Sequence, residues 1–359
     1  MRHVFAPDQA RWGGRMRRPG RRAAGVMAAA AAGLILVTGC SFPGFSPSTA
    51  AGPTASGTVT VAAAPGVPDA PLYIGLRDGL FSKVGLTVHV VSASSVPQGV
   101  AALRNHTADI AFGDYANMFY AQEQSHPAPH LLAVADGYDA GPNMVEVLTL
   151  PGSKIVTPRD LENKVIGTTS AQAIPTHNGG QPQPYGIDTL ATWSVLASDN
   201  VRVKTITWDP MAASKLIGAL QAGQVDAILA TEPTIYAAES GLGAVPVVDA
   251  CTGATSNLPL DGYFTTSSYA AKNPQVVAAF RSALAKAQAQ AAMAAPLQTA
   301  LTKSARLKAQ DAAMVTLGTY PTTTSAQNLQ RVVNLMFSSF GVLPQNFEVK
   351  SIMVKPNGS

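Results

Sequence analysis

A short pattern occurs twice in the chain and restricts the fold more than any other feature. "ALRNHTADIAFGD" (102–114) and "ALQAGQVDAILAT" (219–231) share Ala, Leu and Asp at one constant offset of 117 residues. Each copy is typical of a helix end, a polar turn and an apolar strand that stops at a small or polar residue. Strand ends of this kind are where α/β sheets present ligand sites. The repeat therefore predicts two similar lobes, each offering one such end to a shared cleft.

The first 39 residues have the composition of an export signal. They hold seven Arg and one Asp, and an apolar run extends from Ala23 to about Val37. That run of about 15 residues is shorter than the roughly 20 that a membrane-spanning helix needs. The pattern predicts that residues 1–39 are a signal peptide and not a membrane-spanning anchor. Arg pairs are present without the rest of the twin-arginine pattern, so the export route stays open.

Small residues precede a single cysteine at the end of this leader. "LVTGC" ends at Cys40 and resembles the lipobox of bacterial lipoproteins, in which the cysteine is lipidated. An ordinary signal peptide that contains a Cys is the alternative. The Pro/Ser/Gly-rich stretch over 40–57 suits a flexible tether. We therefore expect a folded body that is lipid-anchored at the outer, extracytoplasmic face of the cell membrane.

Charge and cysteine content exclude several classes of protein. The chain has a formal net charge of +4, of which the leader contributes +6, so residues 40–359 carry −2. This balance predicts no nucleic-acid partner. With Cys40 lipidated, Cys251 has no partner for a disulfide, and there is no CxxC metal or redox pair. A body of about 300 residues must then rest on apolar cores, and its size suggests more than one.

Strand and helix patterns alternate along the body. "TVTVAAA" (58–64) and "TVHVVSA" (87–93) read as strands with a helix between them, and "ADIAFGD" follows a second helix. "KVIGTTS" (164–170) opens a second unit of the same kind. Such alternation predicts an α/β fold with mostly parallel sheets flanked by helices.

Several segments together carry a family resemblance. They are "APLYIGLRDGLFSKVGLTVHVV", "GVAALRNHTADIAFGDYANM", "LIGALQAGQVDAILATEP" and "AAKNPQVVAAFRSALAKA". In their order and spacing they resemble the solute-binding lipoproteins of ABC importers, most closely the branch that handles nitrate, taurine, alkanesulfonates and thiamine-pyrimidine precursors. The resemblance extends from about Thr58 to Ala287 and more weakly beyond.

This resemblance implies a two-lobe clamshell of the type II periplasmic-binding-protein kind. Lobe I would comprise 58–139 and 258–359, and lobe II 140–257, with two crossings as the hinge. A small-molecule solute would bind in the cleft and shift the population toward closure. An ABC permease with its cytoplasmic ATPase would accept the closed form. The resemblance implies a monomer that is not an enzyme and needs no cofactor and no metal.

Residues that follow the predicted strands are the candidate ligand-binding residues. Hydroxyls and backbone N–H groups at helix starts suit an anion, although the serines are also typical helix N-caps. The candidates are Asp69, Leu72, Tyr73, Ser94, Ser95, Gly113, Asp114, Tyr115, Thr168, Thr169, Ser170, Thr231 and Glu232.

The acids in this set favour a different solute. Asp69, Asp114 and Glu232 would lie at the cleft, and no Arg or Lys falls at a predicted strand end. Carboxylates beside an anion are costly, whereas they accept hydrogen bonds from a neutral or cationic heterocycle. The ring would stack on Tyr73, Tyr115 or Trp208. We therefore favour a nitrogenous, pyrimidine-like solute. The alternatives are a sulfonate, taurine or nitrate, and capping or core roles for Asp114 and Tyr115.

Other candidate sites are weaker. The echoed acids Asp109 and Asp226 precede their strands and are predicted to be turn or capping residues. His126 and His130 are separated by prolines, which argues against a helical metal face, and His177 lies in a Pro/Gly-rich loop. Enzymes of thiamine-pyrimidine biosynthesis share the fold but carry a Cys-rich motif that this chain lacks. A solute sensor without transport also remains open.

Overall fold

The computed structural model describes residues 56–124, 130–170, 172–174 and 183–355, with the backbone alone over 172–174 and 183–184. The leader, Cys40, nearly all of the tether, His126 and His177 lie outside the described residues. No helix among those described is long and apolar enough to cross a membrane.

The strands of the described chain alternate with helices, as the sequence predicts. The strands are β1 (Gly57–Ala63), β2 (Leu86–Ser92), β3 (Ile110–Asp114), β4 (Leu131–Asp139), β5 (Val145–Thr149), β6 (Val165–Thr168), β7 (Gln172–Ile174), β8 (Gln183–Tyr185), β9 (Thr207–Pro210), β10 (Ala227–Thr231), β11 (Val245–Asp249) and β12 (Pro259–Thr266). The helices are α1 (Ala70–Arg77), α2 (Val96–Arg104), α3 (Tyr115–Glu123), α4 (Ile187–Ser198), α5 (Ala213–Gln221), α6 (Thr234–Leu242), α7 (Ser267–Lys272), α8 (Pro274–Ala291), α9 (Ala294–Lys303), α10 (Ala309–Met314) and α11 (Ala326–Phe340).

The first five-stranded sheet has the order β2-β1-β3-β12-β4. β1 pairs in parallel with β2 and β3, with Gly57 opposite Leu86 and Val61 opposite Ile110. β12 is antiparallel to both β3 and β4. The sheet is therefore mixed, because β12 enters it from the opposite end after the chain has completed the second sheet.

The second five-stranded sheet has the order β11-β5-β10-β6-β9 and is built only from strands between 145 and 249. β10 and β9 lie parallel to β6, whereas β5 is antiparallel to β10 and β11. The two sheets thus share one pattern, with two parallel and two antiparallel pairings in each. Both sheets have fewer parallel strand pairs than the alternation of strand and helix patterns in the sequence predicted.

The repeated sequence pattern forms the same unit in each sheet. α2 leads through a turn into β3, and α5 leads through a turn into β10. Asp109 exchanges two hydrogen bonds with Thr60 on β1: its N–H donates to the Thr60 carbonyl at 2.8 Å, and its carboxylate accepts from the Thr60 N–H at 2.8 Å. Asp226 does the same with Val165 on β6, at 2.9 and 2.8 Å. Each Asp therefore fixes the start of its strand against the parallel neighbour.

A threonine completes this arrangement from the other side of each strand. The Thr265 hydroxyl on β12 donates to the Asp109 carbonyl, and the Thr149 hydroxyl on β5 donates to the Asp226 carbonyl, at 2.6 and 3.1 Å. The echoed acids are structural residues at the amino ends of β3 and β10. They are far from the carboxyl ends, where a ligand site is expected.

The apolar core is divided unequally. The large cluster contains the helices of the first sheet, where Phe81 stacks on Phe280 with ring centroids 5.3 Å apart. It continues into the second half of the chain through α4, whose Trp193 packs on Phe340 of α11. A smaller cluster, which includes Leu216, joins α5 and α6 to β10.

Candidate functional site

A cavity of about 560 Å³ lies between the two sheets. Its wall includes Asp114 at the end of β3, Tyr138 near the end of β4 and Thr231 at the end of β10. Asp261 reaches it from the start of β12, which runs antiparallel to β3 and places Asp261 opposite Asp114. The carboxyl ends of strands from both sheets therefore face one space, which is the usual place of a ligand site in an open α/β sheet.

About half of the residues proposed from the sequence line this cavity. They are Ser94, Ser95, Asp114, Thr169, Ser170, Thr231 and Glu232. They come from segments that follow β2, β3, β6 and β10, so both sheets contribute to the wall.

Leu72 and Tyr115 lie in the core instead of on the cavity wall. Leu72 is on the buried face of α1. Tyr115 begins α3 and turns inward, where its hydroxyl donates to the Asp136 carboxylate at 2.8 Å. The direction of each side chain follows from helix packing, which the strand-end argument did not include.

Asp69 and Tyr73 also lie behind the wall. Asp69 is fully buried, and its Oδ1 accepts the Gly66 N–H at 2.8 Å while Oδ2 has no partner in the described chain. Burial raises its pKa to about 8, against the weaker opposing effect of the Gly66 hydrogen bond. The Tyr73 hydroxyl is buried without a partner among the described residues. Neither side chain reaches the cavity.

Gly113, Thr168 and Trp208 do not line the cavity themselves. A Cβ on Gly113 would lie 2.6 Å from Cγ2 of Val96, so the missing side chain makes room for Val96, which is on the wall. Thr168 is buried, and its hydroxyl oxygen accepts the Ser170 N–H at 3.2 Å. Trp208, proposed as a stacking ring, is buried in β9 away from the cavity.

Two acids that sequence reasoning missed belong to the site. Asp188, in the first turn of α4, and Asp261 both line the cavity. Neither carboxylate has a hydrogen-bond partner within the described chain. An acid in the apolar strand "PLDGYFTT" was the available signal for Asp261. Asp188 follows a Pro/Gly-rich loop, which obscured the start of its helix.

The pKa values of Asp114, Asp188 and Asp261, the acidic trio, are all raised. Burial is the main cause for each, because it disfavours the charged form. The pKa of Asp188 rises to about 7, with the Asp114 charge as its second cause. The charges of Asp114 and Asp188 help to hold the pKa of Asp261 well above its usual range.

Asp114 also caps helix α3, which was the alternative role considered for it from the sequence. One carboxylate oxygen accepts the Asn117 N–H at 2.9 Å and the other accepts the Asn117 side-chain amide at 2.9 Å. Hydrogen bonds from Asn117 and from the Ile187 N–H oppose the rise of its pKa. Asp114 therefore links the first sheet to the start of α4, beside Asp188.

Glu232 is occupied by protein contacts. One oxygen accepts the Tyr236 N–H at 3.1 Å and the other accepts the Thr316 N–H at 2.9 Å. Thr316 lies in the C-terminal part of the chain, so Glu232 holds that part to the end of β10. Its pKa is raised by burial despite these two bonds.

Two tyrosine rings and several hydroxyls complete the wall. Tyr185 is fully buried, and its hydroxyl donates to the Ala116 carbonyl at 2.9 Å. The Tyr138 hydroxyl accepts the Gly318 N–H at 2.9 Å. Ser95 stands at the N-cap of α2, but its side chain makes no capping bond. The Ser94 hydroxyl donates to the Gln98 amide oxygen at 3.1 Å.

No Lys, Arg or His lines this cavity among the described residues. The described chain also contains no group of three or more His, Cys, Asp or Glu arranged to hold a metal ion. Nδ1 of His130 lies 3.1 Å from the Gln122 side-chain nitrogen. Cys251 is buried, and burial raises the pKa of its thiol to about 12.

Two mixed sheets that face one cavity with their strand ends define a two-lobe α/β clamshell of the periplasmic-binding-protein fold. The chain belongs to the NMT1/THI5-like family, whose model matches residues 69–299. The family and the fold implied by the sequence resemblance are confirmed.

Solved structures support the fold. The chain is similar to the alkanesulfonate-binding protein SsuA from Xanthomonas axonopodis pv. citri bound to MOPS, with 19% identity, a TM-score of 0.63, and 85% of this chain and 99% of that chain covered. It is similar to the periplasmic nitrate-binding protein NrtA from Synechocystis PCC 6803, with 13% identity, a TM-score of 0.64, and 82% and 84% covered. It is also similar to the desulfurization enzyme DSZB, with 16% identity, a TM-score of 0.60, and 82% and 96% covered. No curated protein sequence matches the chain significantly.

Proposed function

We propose that the protein is the solute-binding component of an ABC importer and that its solute is a nitrogenous cation or an N–H-rich heterocycle of pyrimidine-like size. The observation that carries the proposal is the acidic trio in a cavity between the lobes, with no basic side chain on its wall in the described chain. Two structural neighbours, SsuA and NrtA, are themselves named as binding proteins.

The free carboxylates indicate the chemistry of the solute. Asp188 and Asp261 have no protein partner within the described chain, yet both face the cavity. Both are half-buried, and a carboxylate that loses part of its solvation without gaining a partner is costly, a cost that a ligand with N–H donors or a positive charge removes. Tyr138 and Tyr185 also line the cavity, but both side chains are buried, so the proposal rests on the carboxylates.

A sulfonate or nitrate is the second candidate because structural neighbours bind such anions. The hydroxyl of Ser95, which makes no capping bond to α2, and the hydroxyl of Thr169 favour it. Against it, any of Asp114, Asp188 and Asp261 that is ionised would repel the anion, so the anion would bind only with these acids protonated. Two like charges about 4 Å apart repel by roughly 4 kcal/mol at an effective dielectric constant near 20.

We propose that the protein binds without covalent chemistry. One structural neighbour is an enzyme, so the fold alone does not decide this point. Cys251 is buried with a raised pKa, which leaves its thiol protonated and unreactive.

The leader supports a place outside the cytoplasm. An Arg-rich start, an apolar run and the lipobox-like "LVTGC" agree with an exported lipoprotein anchored through Cys40. We infer that this protein, as a monomer, delivers its solute to a membrane permease driven by a cytoplasmic ATPase. Labelling with a radioactive fatty acid, compared between the wild type and Cys40→Ala, tests the anchor.

Thermal unfolding with a panel of solutes tests the proposed solute class. The panel contains hydroxymethyl-aminopyrimidine, riboflavin and a polyamine on one side, and taurine, an alkanesulfonate and nitrate on the other. A solute at 100 times its Kd adds about 2.7 kcal/mol of stability, which raises the Tm by several degrees. We expect a nitrogenous solute to produce this shift.

Variants of the acidic trio test whether the rise in Tm comes from binding in the cavity. Asp188→Asn and Asp261→Asn should abolish it, whereas Asp199→Asn, at an exposed position after α4, should retain it. A shift by sulfonate or nitrate alone would overturn the solute class while leaving the binding role intact. No shift with any compound, together with turnover of one of them, would overturn the binding role.

A further inference from the structure

A second groove lies on the first sheet, at the end opposite the acidic cavity. Leu132 at the start of β4 and Ser267 after β12 form part of its wall. The acidic cavity is reached from Tyr138 and Asp261 at the other ends of these strands. Ser267 is six positions after Asp261 in the chain, which is roughly 20 Å along a strand at about 3.3 Å per residue. The groove has a volume of about 790 Å³.

The chemistry of this groove is opposite to that of the acidic cavity. No Asp or Glu lines it among the described residues, and its base contains small apolar residues of α7 and α8 such as Ala270 and Ala278. Its polar groups are two cations and a set of hydroxyls, namely Arg281, Lys355, Ser267, Ser282, Ser351 and the threonines at 322–324.

Arg281 is one of the two cations that line this groove. Its side chain is half-buried on α8, and burial lowers its pKa because the charged form loses solvation. The ion pairs of the described chain involve other residues, and Arg281 makes no hydrogen bond there. A half-buried guanidinium normally has an anionic or carbonyl partner. This one faces a groove that has, among the described residues, several hydroxyls and no acid, although the Ser351 hydroxyl already donates to the Glu348 carbonyl at 2.6 Å.

We propose that this groove binds a phosphate group, held by the Arg281 guanidinium and the surrounding hydroxyls. The planar guanidinium donates two parallel hydrogen bonds to a phosphate, and serine and threonine hydroxyls satisfy the remaining oxygens. Lys355, which is exposed at the rim, adds attraction without a fixed geometry. The site is independent of the proposed solute and of the acidic trio.

Two sources could supply the phosphate group: a free phosphorylated compound or the headgroup of an anionic lipid. The lipid source has structural support from the position of β1. Gly57, its first residue, lies against Val276 of α8, since a Cβ there would be 3.5 Å from Cγ2 of Val276. Val277 and Ala278 belong to the groove wall. The chain therefore enters this lobe beside the groove, 17 residues after Cys40, so the lipid source rests on the lipid anchor proposed for that cysteine.

Isothermal titration calorimetry of the full chain in a non-ionic detergent tests the proposal. One arm uses inorganic phosphate, and the other uses glycerophosphoglycerol, the water-soluble headgroup of phosphatidylglycerol. We expect at least one probe to bind, with the stronger of the two identifying the source. Arg281→Gln should weaken binding about tenfold or more, because hydrogen bonds to charged groups are lost.

Matched variants distinguish the specific loss of phosphate binding from a general loss of folded structure. Arg306→Gln removes one exposed arginine away from the groove and should bind like the wild type. Arg281→Lys keeps the charge and should retain part of the affinity, and Asp261→Asn should leave phosphate binding unchanged. Far-ultraviolet circular dichroism of each variant reports its fold. Absence of binding by both probes, or equal binding by wild type and a folded Arg281→Gln, would overturn the proposal.

Discussion

Asp69 makes the stability of the free protein depend on pH. It is fully buried with one oxygen unpartnered in the described chain, and its pKa is raised from 3.8 to about 8. Between these values the folded protein holds a proton that the unfolded chain has released. The free energy of unfolding therefore falls as pH rises from about 4 to 8, by about 1.4 kcal/mol per pH unit at most for this group.

Asp69→Asn should remove this contribution. We expect the wild type to lose roughly 3 kcal/mol more than the variant between pH 6 and pH 9, measured by urea unfolding at both values. The absolute stability of the variant is not the readout, because the new amide also needs a partner. Asp199→Asn, an exposed change, should keep the wild-type slope. An identical slope in Asp69→Asn would show that the buried group titrates normally.

For single residues, the sequence could predict which positions follow a strand, but not whether each side chain points into the cavity or into the core. Asp114 was found because it ends a strand pattern, and the structure places it on the cavity wall. Tyr115, the next residue, was proposed by the same argument, yet it points into the core because α3 starts there. Asp188 and Asp261 reach the cavity only through the antiparallel entry of β12 and the packing of α4, which are long-range contacts.

At the scale of elements, the repeated unit depends on its acidic residue. Asp109 and Asp226 each accept a backbone N–H from the neighbouring parallel strand at 2.8 Å. Their replacement by Ala leaves that N–H without its partner, which costs about 1–2 kcal/mol. We expect Asp109→Ala to cost more than Asp226→Ala, because Asp226 is exposed and water can replace its bond.

Chemical denaturation of both variants checks this prediction. Asp109→Asn retains an acceptor oxygen and should be less destabilised than Asp109→Ala. Asp199→Ala, without a side-chain bond in the described chain, should stay within about 0.5 kcal/mol of the wild type. If Asp109→Ala also stayed within that margin, the carboxylate would not be what fixes the start of β3.

The helices and strands are the part of the structure that the sequence predicted best. The alternation of β-branched strands and amphipathic helices depends on local periodicity, and β1, β2, α2 and α5 lie where that periodicity indicated. The antiparallel pairing of β5 and β12 was not expected. It arises where the chain crosses between the two sheets, and no local pattern encodes the direction of such a crossing.

At the scale of the whole molecule, solute binding and proton binding should be linked through the cavity. Asp188 has a pKa of about 7, and those of Asp114 and Asp261 are also raised. The other titratable groups on the wall are Glu232, Tyr138 and Tyr185. A cation favours the ionised carboxylates, so its binding lowers their pKa values and releases protons. An anion favours the protonated forms and takes protons up.

The sign of this linkage distinguishes the two classes of solute. For a cation that carries a fixed quaternary charge, affinity should rise between pH 6 and pH 8, by at most about tenfold per pH unit for each proton released. For a sulfonate or nitrate it should fall over the same range. Calorimetry in two buffers of different ionisation enthalpy counts the protons directly. Asp188→Asn should reduce that count, and Asp199→Asn should not. Proton uptake on binding would exclude a cationic solute, because ionised carboxylates are what such a solute requires.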